Sequence, residues 1–162
     1  MNNNFCLDGF SLFCKKPNAK AVISGSSKFP EINGTALFYQ IDGGVIVSAE
    51  VDGLPKSNNM CKSPVFAFHI HSGGRCSGNN TDPFADVSMH YNPDDTLHPC
   101  HAGDLPPLFG ANGKAFSIFL TNRFSVSEII GKTIIIHAGV DDFTTQPSGN
   151  AGEKIACGVI TV

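Results

Sequence analysis

The sequence contains no tryptophan, few charged residues and no cluster of basic side chains. Charged residues make up 15% of the 162-residue chain, and the formal net charge is -3. Proteins that bind phosphate backbones or anionic lipid surfaces use basic patches, so neither nucleic acid nor a membrane is expected as a partner. A chain of this length can bury the core of one domain but is too short for two ordinary ones.

Two further absences bear on location and on thiol chemistry. No apolar run reaches the length of a membrane span, and no basic region precedes the apolar part of the opening residues, which Asp8 interrupts. We therefore expect a cytoplasmic protein, although a leader removed from the mature chain would leave the same sequence. None of the six cysteines forms a C-x-x-C pair, which disfavours a zinc ribbon or a thioredoxin-like site.

Short β-type runs separated by Gly, Pro, Asn and Asp dominate the rest of the chain, and they predict an all-β sandwich or barrel. The runs are AKAVISG, GTALFYQID, GVIVSAEVDGL, PVFAFHIH, KAFSIFL, KTIIIHAG and IACGVITV. Asp42-Gly43-Gly44 lies between the second and third runs and predicts a tight hairpin turn. Ser125, Glu128 and Gly131 occupy capping positions and predict one or two turns of helix.

Two histidines stand one residue apart in the run PVFAFHIH. Because side chains alternate along a strand, Phe66, Phe68 and Ile70 lie on one face, and His69 and His71 lie on the other. The first face is apolar and predicts core. On these residues alone, two core histidines bonded to the backbone are the ordinary explanation of the pattern, and a metal site is the alternative.

The segment from Ser72 to about Asn112 has no convincing strand, yet it concentrates Pro, Gly, Asp, His and Cys. Long loops without secondary structure are uncommon in small domains and are usually functional. This loop offers three imidazoles and one carboxylate, a set that suits a tetrahedral zinc site. The four residues are His90, His98, His101 and Asp104.

The remaining histidine, His137, ends the apolar run TIIIH, and we expect it near His69 and His71. These three nitrogens and one imidazole from the loop would give the tetragonal nitrogen set that Cu²⁺ prefers. The six histidines therefore divide into two adjacent metal sites.

Taken together, these motifs resemble the copper/zinc superoxide dismutases. The motifs HIH, MHYNP, HAGDL, IIIH followed by DD, and GNAGEKIACGVI occur in the family's order, and the resemblance covers roughly residues 20 to 162. It implies a Greek-key β-sandwich or barrel of about eight antiparallel strands with a long metal-binding loop, over residues 19–162. Residues 1–18 are then an N-terminal extension of unknown role.

The resemblance also implies an oxidoreductase with one copper and one zinc per subunit. Superoxide is disproportionated to oxygen and hydrogen peroxide while copper cycles between Cu²⁺ and Cu⁺. The implied copper ligands are His69, His71, His90 and His137. The implied zinc ligands are His90, His98, His101 and Asp104, so that His90 is shared as an imidazolate and also carries protons in catalysis.

Three further residues take family roles. Asp141, the first residue of the DD pair, would accept hydrogen bonds from His69 and His98, with an ordinary turn carboxylate as the alternative. Cys76 and Cys157 would form a disulfide, with two buried free thiols as the alternative. The remaining cysteines have no transferable role; Cys100 is a misplaced ligand, a partner for Cys61 or a free thiol, and Cys6 and Cys14 stay unassigned.

Two features depart from the family pattern. Lys154 stands where the family usually has an arginine, and it offers a point charge without a planar fork. The loop Asp141–Asn150 is shorter than in well-known eukaryotic members and carries no lysine. We expect Lys154 to guide superoxide, with a solvated surface lysine as the alternative, and we expect the guidance to be weaker than in the family.

Two other functions remain open on the sequence alone. A non-catalytic protein that binds or buffers copper and zinc would use the same fold, because a fold does not guarantee its activity. A β-sandwich adhesion or ligand-binding module would explain the strands but leave the clustered histidines without a purpose. A homodimer is a further expectation, since family members are often dimers, although the sequence has no distinctive apolar interface stripe.

Overall fold

The computed structural model describes residues 15–56 and 64–162. In this part of the chain the strands are β1 Ala19–Gly25, β2 Asn33–Ile41, β3 Gly44–Asp52, β4 Val65–Phe66, β5 Phe68–His71, β6 Leu108–Phe109, β7 Ala115–Thr121, β8 Thr133–His137 and β9 Lys154–Thr161. The other elements are a 3-10 helix, Ala85–Val87, and a short α-helix, α1 Val126–Ile129. Neither described helix is long and apolar enough to cross a membrane.

Seven of these strands form one antiparallel sheet, in the order β5-β8-β9-β1-β2-β3-β7, and β4 pairs with β6 in a small second sheet. Strands that are distant in the chain lie side by side, since β9 pairs with β1 and β7 pairs with β3. The all-β prediction is confirmed. The hairpin turn and the short helix are also present: Gly43 has φ +83° between β2 and β3, and Ser125 N–H donates to the Glu128 carboxylate at the start of α1.

The run PVFAFHIH forms two strands instead of one. At Ala67, between β4 and β5, the N–H donates to Gly139 O and the carbonyl accepts from His137 N–H. The chain thereby passes from the small sheet to the large one. The partner of β4 is β6, a two-residue strand within the loop that was predicted to contain none. So short a strand leaves no recognisable pattern in the sequence.

The apolar faces of the strands are buried in the core. Phe66, Phe68 and Ile70 are fully buried in the main core, as their shared face predicts. Strand β8 is buried along its whole length, because Ile134 and Ile136 face the main core while Ile135 packs into a second cluster. That second cluster contains Phe84, Val87 and Cys157, so the long loop covers this side of β8.

Candidate metal centre

Three of the six histidines lie on two neighbouring strands. His69 and His71 lie on β5, which pairs with β8, and His137 ends β8. All three are buried, and the ring centroid of His137 lies 5.1 Å from that of His69 and 5.5 Å from that of His71. The alternation of β5 therefore supplies two imidazoles, and the end of β8 supplies the third.

Main-chain hydrogen bonds hold the long loop against β5. Ile70 N–H donates to Gly103 O at 2.9 Å, and Ile70 O accepts from Tyr91 N–H at 2.8 Å. A Cβ atom at Gly103 would lie 2.2 Å from Ile70 O, so this approach requires glycine. The pairing places His90 and Asp104 beside the histidines of β5.

Two groups of buried donor atoms result, and within each group the donor atoms lie within 4.8 Å of one another. The first group is His69, His71, His90 and His137. The second group is His90, His98, His101 and Asp104. His90 belongs to both groups, and its ring centroid lies 4.0 Å from that of His69 and 5.5 Å from that of His101. The structure thus brings together all the side chains that the sequence suggests as metal ligands.

The protonation of two histidines follows from their backbone partners. His71 Nδ1 lies 2.8 Å from Ser88 O, and His137 Nδ1 lies 3.1 Å from Gly152 O. A carbonyl only accepts, so each Nδ1 carries the proton and donates. Burial lowers the pKa of His71 to about 3 and that of His137 to about 4, so both rings are neutral near pH 7. Their Nε2 atoms then face each other as two lone pairs only 3.3 Å apart, an arrangement that a cation between them would stabilise.

Asp141 links the two groups. Its buried carboxylate accepts from His69 Nε2–H at 2.7 Å through Oδ2 and from His98 Nε2–H at 2.8 Å through Oδ1. These bonds fix both rings and leave each Nδ1 without a proton. Gly149 lies directly behind this contact, with φ +67°, and a Cβ atom there would be 2.0 Å from Asp141 Oδ1.

Three ring nitrogens in the described residues are buried without a hydrogen-bond partner: His69 Nδ1, His90 Nε2 and His98 Nδ1. His98 Nδ1 lies 3.0 Å from Asp104 Oδ2, but these atoms lack hydrogen-bond geometry. Burying unpaired nitrogens is unfavourable unless a ligand satisfies them. The all-imidazole group suits copper, and the group with a carboxylate suits zinc, so the residues fit both ions.

Asp104 is charged in this setting. Burial by itself would raise the pKa of its carboxyl group, but the hydrogen bond from His90 and the neighbouring histidines lower the pKa below its ordinary value. His90 Nδ1 donates to Asp104 Oδ1 at 2.7 Å, and His101 N–H donates to Oδ2 at 3.0 Å. The second group therefore combines three imidazoles with one negative charge.

Metal-free protein should lose stability as the pH falls below the ordinary histidine pKa of 6.5. The folded pKa values of His71 and His137 are lower than that value, so the unfolded chain binds protons that the folded chain does not. Their stabilising effect is complete above pH 6.5 and is lost as the pH falls towards 4 and 3. Between pH 7 and pH 5 we expect a loss of about 2 kcal/mol for each group.

Urea unfolding of the chelator-treated protein at pH 7, 6 and 5 measures this loss. The double variant His71→Gln/His137→Gln, which has no imidazole at either position, is the control and should show a smaller pH dependence. An unfolding free energy that stays constant over this interval would contradict the burial of two neutral rings.

The predicted disulfide is confirmed. Cys76 and Cys157 are bonded, with their Cα atoms 5.7 Å apart and a sequence separation of 81, and the bond ties the long loop to β9. Closing a loop of this length stabilises the fold by about 4 kcal/mol, mainly by restricting the unfolded chain. Cys100 is an exposed free thiol. The three other cysteines, Cys6, Cys14 and Cys61, lie outside the described residues.

Lys154 is not a solvated surface lysine. Its Nζ lies 2.5 Å from Asp82 Oδ2 and donates to Phe84 O at 3.1 Å, and its side chain is only 18% exposed. Besides burial, which is the main cause, the charge of Lys154 contributes to the lowered pKa of His71 and His137. Lys154 is paired with His137 across β8 and β9, so it lies beside the first group of donors, and the Asp82 carboxylate partly neutralises its charge.

Four residues of the centre were missed by the sequence interpretation: Gly103, Arg123, Gln146 and Gly149. The two glycines fall inside quoted motifs, HAGDL and GNAG, where a small residue between functional ones could have indicated a close approach. Arg123 and Gln146 contact only the backbone of the loop, and no motif in the sequence points to them.

Comparison with known proteins agrees with this geometry. The model of the copper/zinc superoxide dismutase family matches residues 32–160. Cu-Zn superoxide dismutase of Schizosaccharomyces pombe is 36% identical, with 89% of this chain and 97% of the relative covered. Cu-Zn superoxide dismutase of Deinococcus radiodurans is 34% identical, covering 80% and 77%, and Cu-Zn superoxide dismutase 2 of Aquifex aeolicus is 31% identical, covering 80% of each chain.

Proposed function

This chain belongs to the copper/zinc superoxide dismutase family, and we propose that its two groups of donors are the copper site and the zinc site. The protein is an oxidoreductase that disproportionates superoxide to oxygen and hydrogen peroxide. The observation that supports the residue assignment is the convergence of seven buried donor side chains into two groups that share one ring, His90. A metal-buffering role has no observation in its favour.

Each residue has a role that its bonds support. His69, His71, His90 and His137 hold copper, and His90, His98, His101 and Asp104 hold zinc. Backbone carbonyls orient His71 and His137, and Asp141 orients His69 and His98, so the ligand nitrogens are directed inwards before a metal arrives.

Copper, when bound, supplies the one-electron redox chemistry, which zinc cannot supply because it keeps a single oxidation state. Forming hydrogen peroxide consumes protons, and His90 is the side chain in position to hold one. Its Nε2 is buried without a hydrogen-bond partner, while its Nδ1 is bonded to Asp104. We assign His90 Nε2 as the atom that holds and releases a catalytic proton.

Metal content measured together with superoxide consumption tests this function. We expect one copper and one zinc per chain in protein supplied with both metals, and fast consumption of superoxide that chelation removes and copper restores. Bound metal without turnover would indicate metal buffering, and neither metal nor turnover would indicate an adhesion or ligand-binding module.

Lys154 has a proposed role in guiding the superoxide anion towards the copper side. We expect Lys154→Ala to lower the second-order rate constant by up to about tenfold and to flatten its dependence on ionic strength, because a nearby positive charge is lost. Asp82→Asn should have the opposite effect, since it removes the partly neutralising carboxylate.

Stopped-flow measurement of superoxide decay at several salt concentrations checks both changes. Lys20→Ala, which removes an exposed lysine from β1, is the charge-matched control. Salt profiles of Lys154→Ala and Asp82→Asn that equal that of the control would remove Lys154 from the mechanism.

A homodimer is proposed from an exposed apolar surface that the sequence did not reveal. Strand β7 lies at the edge of the large sheet, and its outward residues Phe116, Ile118 and Leu120 are 66%, 44% and 62% exposed. Phe109 on β6 is 67% exposed and lines the same surface groove as Phe116. Apolar surfaces of this kind mark association sites. Sedimentation velocity of the wild type and of Phe116→Lys tests whether this surface holds two copies together.

The domain boundary and the cellular location also remain proposals. The start of β1 at Ala19 supports a dismutase domain over residues 19–162, with 1–18 as an extension of unassigned role. A cytoplasmic location is likewise a proposal, and cell fractionation tests it.

A further inference from the structure

Two side chains from other parts of the chain hold the backbone of the loop segment 98–104, which carries the zinc ligands. We propose that Gln146 and Arg123 are positioning residues that preorganise this segment for zinc. The inference rests on the proposed zinc site, and it assigns to the short loop 141–150 a role in bracing that site.

The side-chain amide of Gln146 makes hydrogen bonds to both backbone groups of His98. Its Oε1 accepts from His98 N–H at 3.1 Å, and its Nε2 donates to His98 O at 2.7 Å. Asp141, five residues earlier, binds the ring of His98. One short loop therefore fixes the backbone and the side chain of the same zinc ligand.

The loop that presents Gln146 is itself held in shape. The Asp142 carboxylate accepts from Thr144 N–H at 2.9 Å and from Thr145 N–H at 2.7 Å. Thr145 O in turn accepts from Gly149 N–H at 2.7 Å. Because these bonds close the turn around Gln146, its amide is presented to His98 at low entropic cost.

Arg123 binds the rest of the segment. Its Nη1 donates to Pro99 O at 2.9 Å, to Asp104 O at 3.1 Å and to His101 O at 3.2 Å. Two of these carbonyls belong to zinc ligands, and the third lies next to His98. A single cationic nitrogen therefore binds carbonyls on both sides of the loop turn and fixes the backbone of the segment. Without this nitrogen, the metal itself would have to order the segment.

Outer-shell partners of metal ligands commonly change affinity by about 10 to 100-fold when they are removed. We expect Gln146→Met and Arg123→Met each to weaken zinc binding by about tenfold. The methionine side chain has a similar length but donates and accepts no strong hydrogen bond. Gln146→Glu keeps the acceptor for His98 N–H but places a second acceptor oxygen opposite His98 O, so it should weaken zinc binding as well. Arg123→Lys keeps a positive donor and should recover part of the affinity.

Competition with a chromophoric zinc chelator measures the affinity without reference to enzyme activity. The visible spectrum of Co²⁺ bound in place of zinc reports ligand geometry, and hydrogen exchange of segment 98–104 in the metal-free protein reports its order. Thr161→Val is the control, because the Thr161 hydroxyl bonds to Lys20 O on β1 and neither to the segment nor to the loop that presents Gln146. We expect the two Met variants, and not the control, to shift the Co²⁺ bands and speed exchange.

The outcomes separate this inference from the proposed function. If wild-type protein binds no zinc, the proposed zinc site is wrong. If wild-type protein binds zinc and the Glu, Lys and Met variants all bind it with unchanged affinity and unchanged exchange in segment 98–104, the positioning role is wrong and the zinc site stands.

Discussion

Replacing His69 with alanine should abolish copper binding and superoxide consumption while leaving zinc bound. His69 contributes a buried Nδ1 that has no other partner, and it lies in the all-imidazole group alone. Loss of a ligand exceeds loss of an outer-shell partner, so we expect activity to fall by more than about 100-fold. The zinc group keeps its four donors, and His98 keeps its bond to Asp141.

The experiment needs a measure of folding, because His69 is fully buried and alanine would leave a cavity. His69→Gln retains more of the volume and should show the same loss of copper. Ile70→Val, on the core face of the same strand, is the matched control and should keep both metals and the activity. A His69→Ala protein with wild-type turnover would show that the copper assignment is wrong.

The ligands could be predicted from the sequence because their chemistry is local. Histidine is an uncommon residue in proteins, and six histidines occur in this chain. The alternation of β5 puts His69 and His71 on one face, and the loop carries a complete donor set for zinc. The disulfide and Asp141 needed the family resemblance. Spacing alone does not say which cysteines meet or which carboxylate lies between two rings.

The remaining features depend on contacts between distant backbone segments. Strands β4 and β6 have two residues each, too short for a hydrophobic period to register. Gln146 and Arg123 bind carbonyl and amide groups that every residue possesses, so nothing in the sequence marks their partners. The pairing of Lys154 with Asp82 joins positions 72 residues apart, and this is why a freely solvated or freely steering lysine was expected.

Substituting Asp141 should affect both metals at once, because its two oxygens serve two different groups. Removing the carboxylate in Asp141→Ala frees the rings of His69 and His98, which then lose their fixed orientation and tautomer. We expect copper and zinc affinity each to fall by about 10 to 100-fold. Asp42→Asn is the control, since that exposed carboxylate lies in the turn between β2 and β3 and belongs to neither group of donors.

Asp141→Asn should behave differently from Asp141→Ala, and the difference tests the tautomer assignment. The amide oxygen can still accept from one histidine, but the amide NH₂ faces the other and requires its Nε2 to be unprotonated. That ring must then carry its proton on Nδ1, the nitrogen that would bind metal. We therefore expect the asparagine variant to lose affinity mainly for one ion and the alanine variant for both, as measured by parallel copper and zinc titrations. Equal affinities for both ions in the wild type and the two variants would show that Asp141 does not set the ligand nitrogens.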